Sequence, residues 1–442
     1  MLVLLLFMMS GMVGLLSFYS SKLKIFSPTF LSSSVISIFC AIYLLCYRHV
    51  NADISILSVI AVMLMICATK VGEFLANQIT IKRIYRSSGY IPCDATFRHI
   101  NSIKISKKRT YIIFALELYA GISRFIRLYL FTVSIGNINI LDTLRRARPY
   151  LSGGMNHDLS IDVTTIDVSI ISYLAEPIAY FYCFWFMYHL VIMKQRKMYL
   201  LLPVVGDALI LMSSTSRTVF LVIGTAFVTS YAYLENMNGK TRKFNHKLIF
   251  CSVLFIVAFF VYGNVTRGKD ASFGIREIFG YSSAGLYGLT EYFNDPWDEN
   301  VLFGQRTLKP LYDLMGNSVA NDTNNTVLPF YIWGYDIEDY SNLYSSLALP
   351  IHDYGLFGMF LIRTLLTFMA VKMIKLLFRE KISDYKTYIL LFYVNQFVYS
   401  YLSCLIADRF YAFLTNIRLL IINIIFTYIA VRWTIKWELT KC

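Results

Sequence analysis

The groups in this chain that could do chemistry are mainly arginines, together with the His352-Asp353 dipeptide and the pair Asn342 and Tyr344. Arg217 sits in Ser213-Ser-Thr-Ser-Arg-Thr218 between two apolar runs, the first short and containing Pro203. A short span leaves its outer turn below the membrane surface, and Ser216 is a residue type that caps a helix start. Free N–H groups, the positive end of a helix and a guanidinium together suit a diphosphate. A solvated turn with an arginine reaching to the interface is the alternative. Arg267, in Asn264-Val-Thr-Arg-Gly-Lys-Asp270, directly follows another apolar run and is either a second phosphate ligand or an interfacial anchor. Arg409 lies beside Asp408 in a short polar turn.

Arg124 and Arg127 are three residues apart within an apolar run, with Glu117 seven residues before Arg124 on a similar helix face. An arginine inside a membrane costs about 2.5–3.5 kcal/mol even on the lenient scale, so both should face protein or a wet cavity. Substrate contact and internal pairing with Glu117, Glu176 or Asp207 are the two accounts. His352 and Asp353 end the longest polar segment, directly before Tyr354-Gly355. An imidazole, or a carboxylate partly withdrawn from water, can accept the proton of an attacking hydroxyl; a surface pair is the alternative. Asn342 and Tyr344 precede them and could orient a loop or a sugar.

These residues must be positioned by membrane helices. The chain has 442 residues, 57% apolar, 16% aromatic and 15% charged, far more hydrophobic than a soluble domain. Runs long enough to cross about 30 Å of hydrocarbon recur: 1–19, 30–47, 54–76, 110–133, 167–193, 199–213, 217–234, 247–264, 354–378, 385–406 and 410–433. The expected fold is therefore all-α, a polytopic integral membrane protein of about eleven transmembrane helices. The loop 77–109 carries eight basic residues against the single acid Asp94, which assigns it to the cytoplasm. From Arg267 to Asp353 the balance inverts to five basic and twelve acidic residues, as expected of a segment translocated outward. The organisation is 1–264, a region of about eight spans; 265–353, a large outer loop; and 354–442, about three spans. The N-terminus falls outside, the C-terminus inside, and every candidate group outside.

Several function classes find little support. The net charge of +14 is distributed as orientation signals rather than as a nucleic-acid footprint. The eight cysteines form no CxxC pair and no metal-spaced set with histidine, and no structural disulfide is expected. No phosphate-binding GxxxxGK[ST] and no HExxH occurs. Absence of an internal repeat, together with the large loop, speaks against a transporter built from two related halves.

The segment Asn342-Leu-Tyr-Ser-Ser-Leu-Ala-Leu-Pro-Ile-His-Asp-Tyr-Gly-Leu-Phe-Gly358 has the form N-x-Y followed by D-[FY]-G-x-x-G at the entry to an apolar run. It resembles the Wzy-type O-antigen polymerases and, more distantly, the O-antigen ligases. Ser213 to Thr218 resembles the S-x-S-R found at a helix junction in the polymerases, and Arg267 resembles the arginine that opens their large loop. The resemblance implies a GT-C-like membrane glycosyltransferase of the bacterial inner membrane, with a periplasmic N-terminus, loop and active site. It would polymerise oligosaccharide repeat units into O-antigen or a related surface polysaccharide. Donor and acceptor glycans would both be carried on undecaprenyl diphosphate, held by the surrounding membrane lipid, and a chain-length regulator protein would be a further partner. Arg267, His352 and Asp353 would be catalytic. Arg217, Arg124, Arg127, Asn342, Tyr344 and Arg409 would hold the substrate diphosphates and sugars. Arginines would supply the charge stabilisation that a metal supplies elsewhere, so no metal or cofactor is expected. A ligase-type glycan transferase, and a lipid-linked oligosaccharide flippase from a different class, are the alternatives.

Overall fold

An apolar run inside a bilayer must satisfy its own backbone, which for a non-barrel chain means helix, and helices dominate the computed structural model of this protein. The structure describes residues 1–21, 23, 26–46, 53–79, 103–136, 139–144, 146–147, 165–213, 218–237, 273–297, 302–316, 331–332, 340–341, 344–378, 385–405 and 417–437. Among these the helices are α1 (Leu2–Ser20), α2 (Pro28–Cys46), α3 (Ile56–Gln78), α4 (Lys107–Ser134), α5 (Ile166–Val191), α6 (Leu202–Ser213) and α7 (Thr218–Met237). They continue with α8 (Phe273–Asn294), α9 (Lys309–Leu314), α10 (Ala348–Leu377), α11 (Tyr385–Leu402) and α12 (Ile417–Thr434). Two short antiparallel ladders accompany them: β1 (Ile103–Ile105) with β4 (Ile435–Trp437), and β2 (Tyr331–Ile332) with β3 (Tyr340–Ser341).

Among the described residues, five helices are long and apolar enough to cross a membrane: α1, α2, α3, α5 and α10. The protein is membrane-embedded. Its lipid-facing surface is visible on α1, where Leu4, Met8, Met12 and Leu15 recur along one face at 50–63% exposure. The expected fourth span is a helix of 28 residues, but Arg109, Glu117, Arg124 and Arg127 keep it outside the apolar class. Three further apolar helical stretches, Met198–Met212, Phe220–Glu235 and Leu420–Thr434, are shorter. The expected span 247–264 lies outside the described residues.

Two details add to the sequence reading. Residues 273–294, inside the expected outer loop, form the 22-residue helix α8. Helix α10 starts at Ala348 but breaks at Gly355, so His352 and Asp353 sit in a short helical stretch before the break, and the expected span 354–378 corresponds to the helix after it.

The chain divides into two compact units: Met1–Tyr85, Ile275–Lys375 and Gln396–Leu420 form the first, and Arg86–Gly274, Leu376–Asn395 and Ile421–Cys442 the second. In the first unit α1, α2 and α3 pack together, with Leu6, Ile36 and Met65 buried in a core shared with Leu286, Leu289 and Leu347. Thr290 of α8 ties this core to the start of α3: Ser55 N–H donates to its Oγ1 at 3.1 Å, and the Ser58 hydroxyl lies 2.9 Å away. In the second unit α4 packs on α6, and α5 on α7. An aromatic core there joins Phe181, Phe184 and Trp185 of α5 to Tyr388 of α11, with centroids 5.0, 5.7 and 6.4 Å apart.

Candidate active site

The stretch 353–358, Asp-Tyr-Gly-Leu-Phe-Gly, is a structural lock between α10 and the turn 302–308. The Asp353 carboxylate accepts the Thr307 N–H at 2.6 Å and, more weakly, the Arg306 N–H at 3.4 Å. One residue on, the Tyr354 hydroxyl meets Thr307 Oγ1 at 2.7 Å, and its ring packs edge-on against Phe303 at 4.9 Å. Gly355 then breaks the helix, at φ 68° and ψ 179°, a backbone region open essentially to glycine alone. Nothing lies within 4 Å of where a Cβ would stand, so conformation rather than space requires glycine here. A Cβ on Gly358 would instead overlap the Tyr354 side chain. Asp353, Tyr354, Gly355 and Gly358 thus act mechanically, together fixing the direction in which α10 leaves the turn.

The lock holds a cluster of polar-tipped rings. Trp297, just past the end of α8, has its ring centroid 4.9 Å from Tyr292, 5.0 Å from Tyr344 and 5.4 Å from His352. His352 is also 6.0 Å from Tyr292. The Arg306 guanidinium stands over the Trp297 ring at 4.6 Å, a cation–π contact whose geometry follows from Asp353 gripping the backbone of residues 306 and 307. Tyr344 is 5% and Tyr292 8% exposed. Burial pushes both phenols up; Arg306 acts in the opposite direction on each, and the Trp297 N–H bond to Tyr344 also opposes the rise. Both therefore remain neutral hydrogen-bond donors. Glu291 and Asp295 lie in electrostatic range of Tyr344, so the cluster combines one guanidinium, neutral phenols and an acidic border.

Apolar ring faces with polar tips suit a sugar, whose C–H face stacks while its hydroxyls find donors and acceptors. An imidazole among them can take a proton from a hydroxyl.

Of the sequence-predicted residues, His352, Asp353 and Tyr344 come together here. Asp353 spends its carboxylate on backbone N–H groups, which makes it a positioning residue in this structure. Arg124 and Arg127 lie in the second unit, on α4. Arg124 Nε is buried without a hydrogen-bond partner, so pairing with Glu117 does not account for it. Arg217, Arg267, Asn342 and Arg409 lie outside the described residues. Arg306, Trp297, Tyr292 and Thr307 were not picked out from sequence. The signal that could have found them was an arginine in an acid-rich loop, in Gly-Gln-Arg-Thr307, and a tryptophan after Asp295-Pro. Among the described residues no group of three or more His, Cys, Asp or Glu could hold a metal ion. No family model, characterised protein or solved structure matches the chain.

Proposed function

We propose that this protein is a membrane glycosyltransferase that polymerises polyprenyl-diphosphate-linked oligosaccharide repeat units into O-antigen or a related surface polysaccharide. The observation that carries the reading is the cluster His352, Trp297, Arg306, Tyr344 and Tyr292, assembled where the D-Y-G-x-x-G segment enters an apolar helix. A hydroxyl of the acceptor repeat unit attacks the anomeric carbon of the growing glycan. The bond from that carbon to phosphate oxygen breaks, polyprenyl diphosphate departs, and His352 takes the hydroxyl proton. Arg217 and Arg267 stabilise the charge growing on the diphosphate, and Arg124, Arg127 and Arg409 are further candidate ligands. Trp297 and the two tyrosines hold the sugar, Asn342 orients the loop, and Asp353 fixes the turn that carries Arg306.

The ladder bears on the number of crossings in this arrangement. Ile103 pairs with Trp437, Lys104 with Lys436 and Ile105 with Ile435, so the segment before α4 and the one after α12 share a side of the membrane. The chain between them must cross an even number of times, which agrees with the eight spans read there from sequence. The proposed arrangement is eleven spans, with the N-terminus and large loop periplasmic and the C-terminus in the cytoplasm of a bacterial cell bounded by its inner membrane.

Purified full-length protein given lipid-linked repeat units alone, without nucleotide sugar or added metal, should produce a ladder of polymer. Absence of any product, or transfer only when lipid A is supplied, refutes the polymerase reading; the second result would make it a ligase. His352→Gln should lower the rate by about 10²–10⁴, the usual weight of a general base, with protein abundance in the membrane unchanged.

A further inference from the structure

We propose that Glu117 and Asp207 form an exchangeable proton-binding site inside the membrane domain, a role independent of the sugar chemistry. Glu117 lies on α4 and Asp207 on α6, each 2% exposed. Ten residues into its helix, Glu117 stands about 15 Å from the helix start, near the middle of a bilayer core.

The two carboxyl groups belong to one site. The Glu117 side chain occupies the space a Cβ on Gly206 would need, its own Cβ 2.7 Å from that position, and Asp207 is the next residue along. Asp207 acts electrostatically on Glu117, and Glu176 on α5 acts on Asp207. Beyond this grouping of acids, both Glu117 oxygens and Asp207 Oδ1 are buried with no hydrogen-bond partner among the described residues. A carboxylate withdrawn from water with neither a donor nor a cation costs far more than the neutral acid, and a second carboxylate beside it raises that cost further. The geometry therefore calls for a proton.

Among the described residues, the elements packed against the pair show no substitute. Their charged and titratable groups include Tyr119, Arg124 and Arg127 on α4, Glu176, Tyr182 and Cys183 on α5, and Tyr199 on the 3-10 turn Met198–Leu201; the exposed Tyr119 donates to Asp167 at 2.8 Å. Tyr182 is in electrostatic range of Glu117 and Cys183 of Asp207, but the Tyr182 hydroxyl is engaged with Thr110 at 3.0 Å. Arg124 is seven residues from Glu117 along the same helix, about 10 Å by helical rise. No metal-holding group occurs among the described residues. Such an acid, kept at membrane depth by packing against a glycine, is the kind of group through which membrane proteins bind and release protons.

The test uses the full-length protein in phosphatidylcholine–phosphatidylglycerol vesicles, without any glycolipid, so that its outcome does not depend on the polymerase reading. Infrared spectroscopy reads the C=O stretch of protonated carboxyl groups from about pH 5 to about pH 9, the range in which buried carboxyls titrate. The expected result is a protonated-carboxyl band at neutral pH that shifts in deuterated buffer and is unaffected by replacing sodium with choline. Glu117→Gln and Asp207→Asn should each remove roughly half of it, and the double variant all of it, as for a coupled pair. A missing band, a band that does not shift on deuteration, one that appears only when sodium is withdrawn, or one that survives in the double variant overturns the proposal. The deuteration and sodium measurements on the unaltered protein stand even if a variant fails to fold.

Discussion

Glu73 on α3 in the first unit and Glu117 on α4 in the second are equally buried, at 2% exposure each, yet their surroundings are opposite. Three hydroxyls donate to the Glu73 carboxylate: Ser21 at 2.6 Å, Ser27 at 2.7 Å and Thr29 at 2.7 Å. Nearby, the 3% exposed Arg363 donates from Nε to Thr69 Oγ1 at 3.3 Å and lies over the Tyr401 ring at 4.8 Å. Tyr401 in turn donates to Thr367 at 2.9 Å. Around Glu73 the protein has replaced water with three hydroxyls. In the second unit, Glu117, Asp207 Oδ1 and Arg124 Nε have received no such replacement. A charge that is internally solvated serves the fold; one left without solvation is retained at a cost to stability and points to a role outside folding.

The largest effect should therefore come from Glu73. Glu73→Ala leaves three buried hydroxyls without their acceptor and should destabilise the detergent-solubilised protein by about 3–5 kcal/mol. Glu117→Gln should be neutral or stabilising, since it removes a carboxyl with no partner to lose. Thermal unfolding of the two variants side by side reads the difference, and equal losses would abolish the distinction between the units.

That distinction was only partly legible in the sequence. Intramembrane charges such as Glu117, Arg124 and Asp207 declare themselves within apolar runs, but the presence or absence of a partner depends on residues far apart in the chain. Ser21, Ser27 and Thr29 look like any loop and helix start; nothing local says that they converge on Glu73, 44–52 residues away. The helical framework was more readable, because a span needs only length and apolarity. It failed at α8, where Gly274, Gly280, Gly285, Gly288 and the Ser282-Ser283 pair dilute the apolar pattern. The short helical stretch before the break at Gly355 was not legible because His352-Asp353-Tyr354-Gly355 has the composition of a loop; its one signal is Pro350, a residue suited to the first turn of a helix. At the candidate site, His352, Asp353 and Tyr344 could be named from the motif. Trp297 and Arg306 could not, since their positions follow from a turn that Asp353 organises from 46 and 47 residues downstream.

A pair of glycines sharpens the comparison at the next level of effect, each costing about 1–3 kcal/mol when replaced by alanine. Gly206→Ala in the second unit pushes a methyl into the Glu117 side chain; Glu117→Ala removes the carboxyl part of that overlap but keeps the Cβ that stands 2.7 Å away, so it should recover part of the loss. Gly355→Ala in the first unit meets open space but a forbidden backbone, so no neighbouring truncation should recover it. Melting temperatures of the singles and the Gly206→Ala/Glu117→Ala double variant separate steric from conformational demand. If the double variant is no better than Gly206→Ala alone, the close approach of α4 to α6 is misassigned.

The smallest effect tests whether the first unit's lock works as a unit. Thr307 and Tyr354 share one hydrogen bond of 2.7 Å between the turn and α10, and Thr307 Oγ1 reaches Gly304 O only at 3.4 Å. Thr307→Val and Tyr354→Phe should each cost about 1 kcal/mol, the net worth of a neutral hydrogen bond. Their double variant should cost little more than either single, because the same bond is lost once. Strict additivity would mean that the two hydroxyls act independently and that the 2.6 Å bond from Thr307 N–H to Asp353 alone carries the connection. Under the polymerase reading, both variants should also lower turnover by more than their stability loss explains, since a looser turn misplaces Arg306 over Trp297. Normal turnover in a destabilised Thr307→Val protein would confine the lock to folding and detach it from the candidate site.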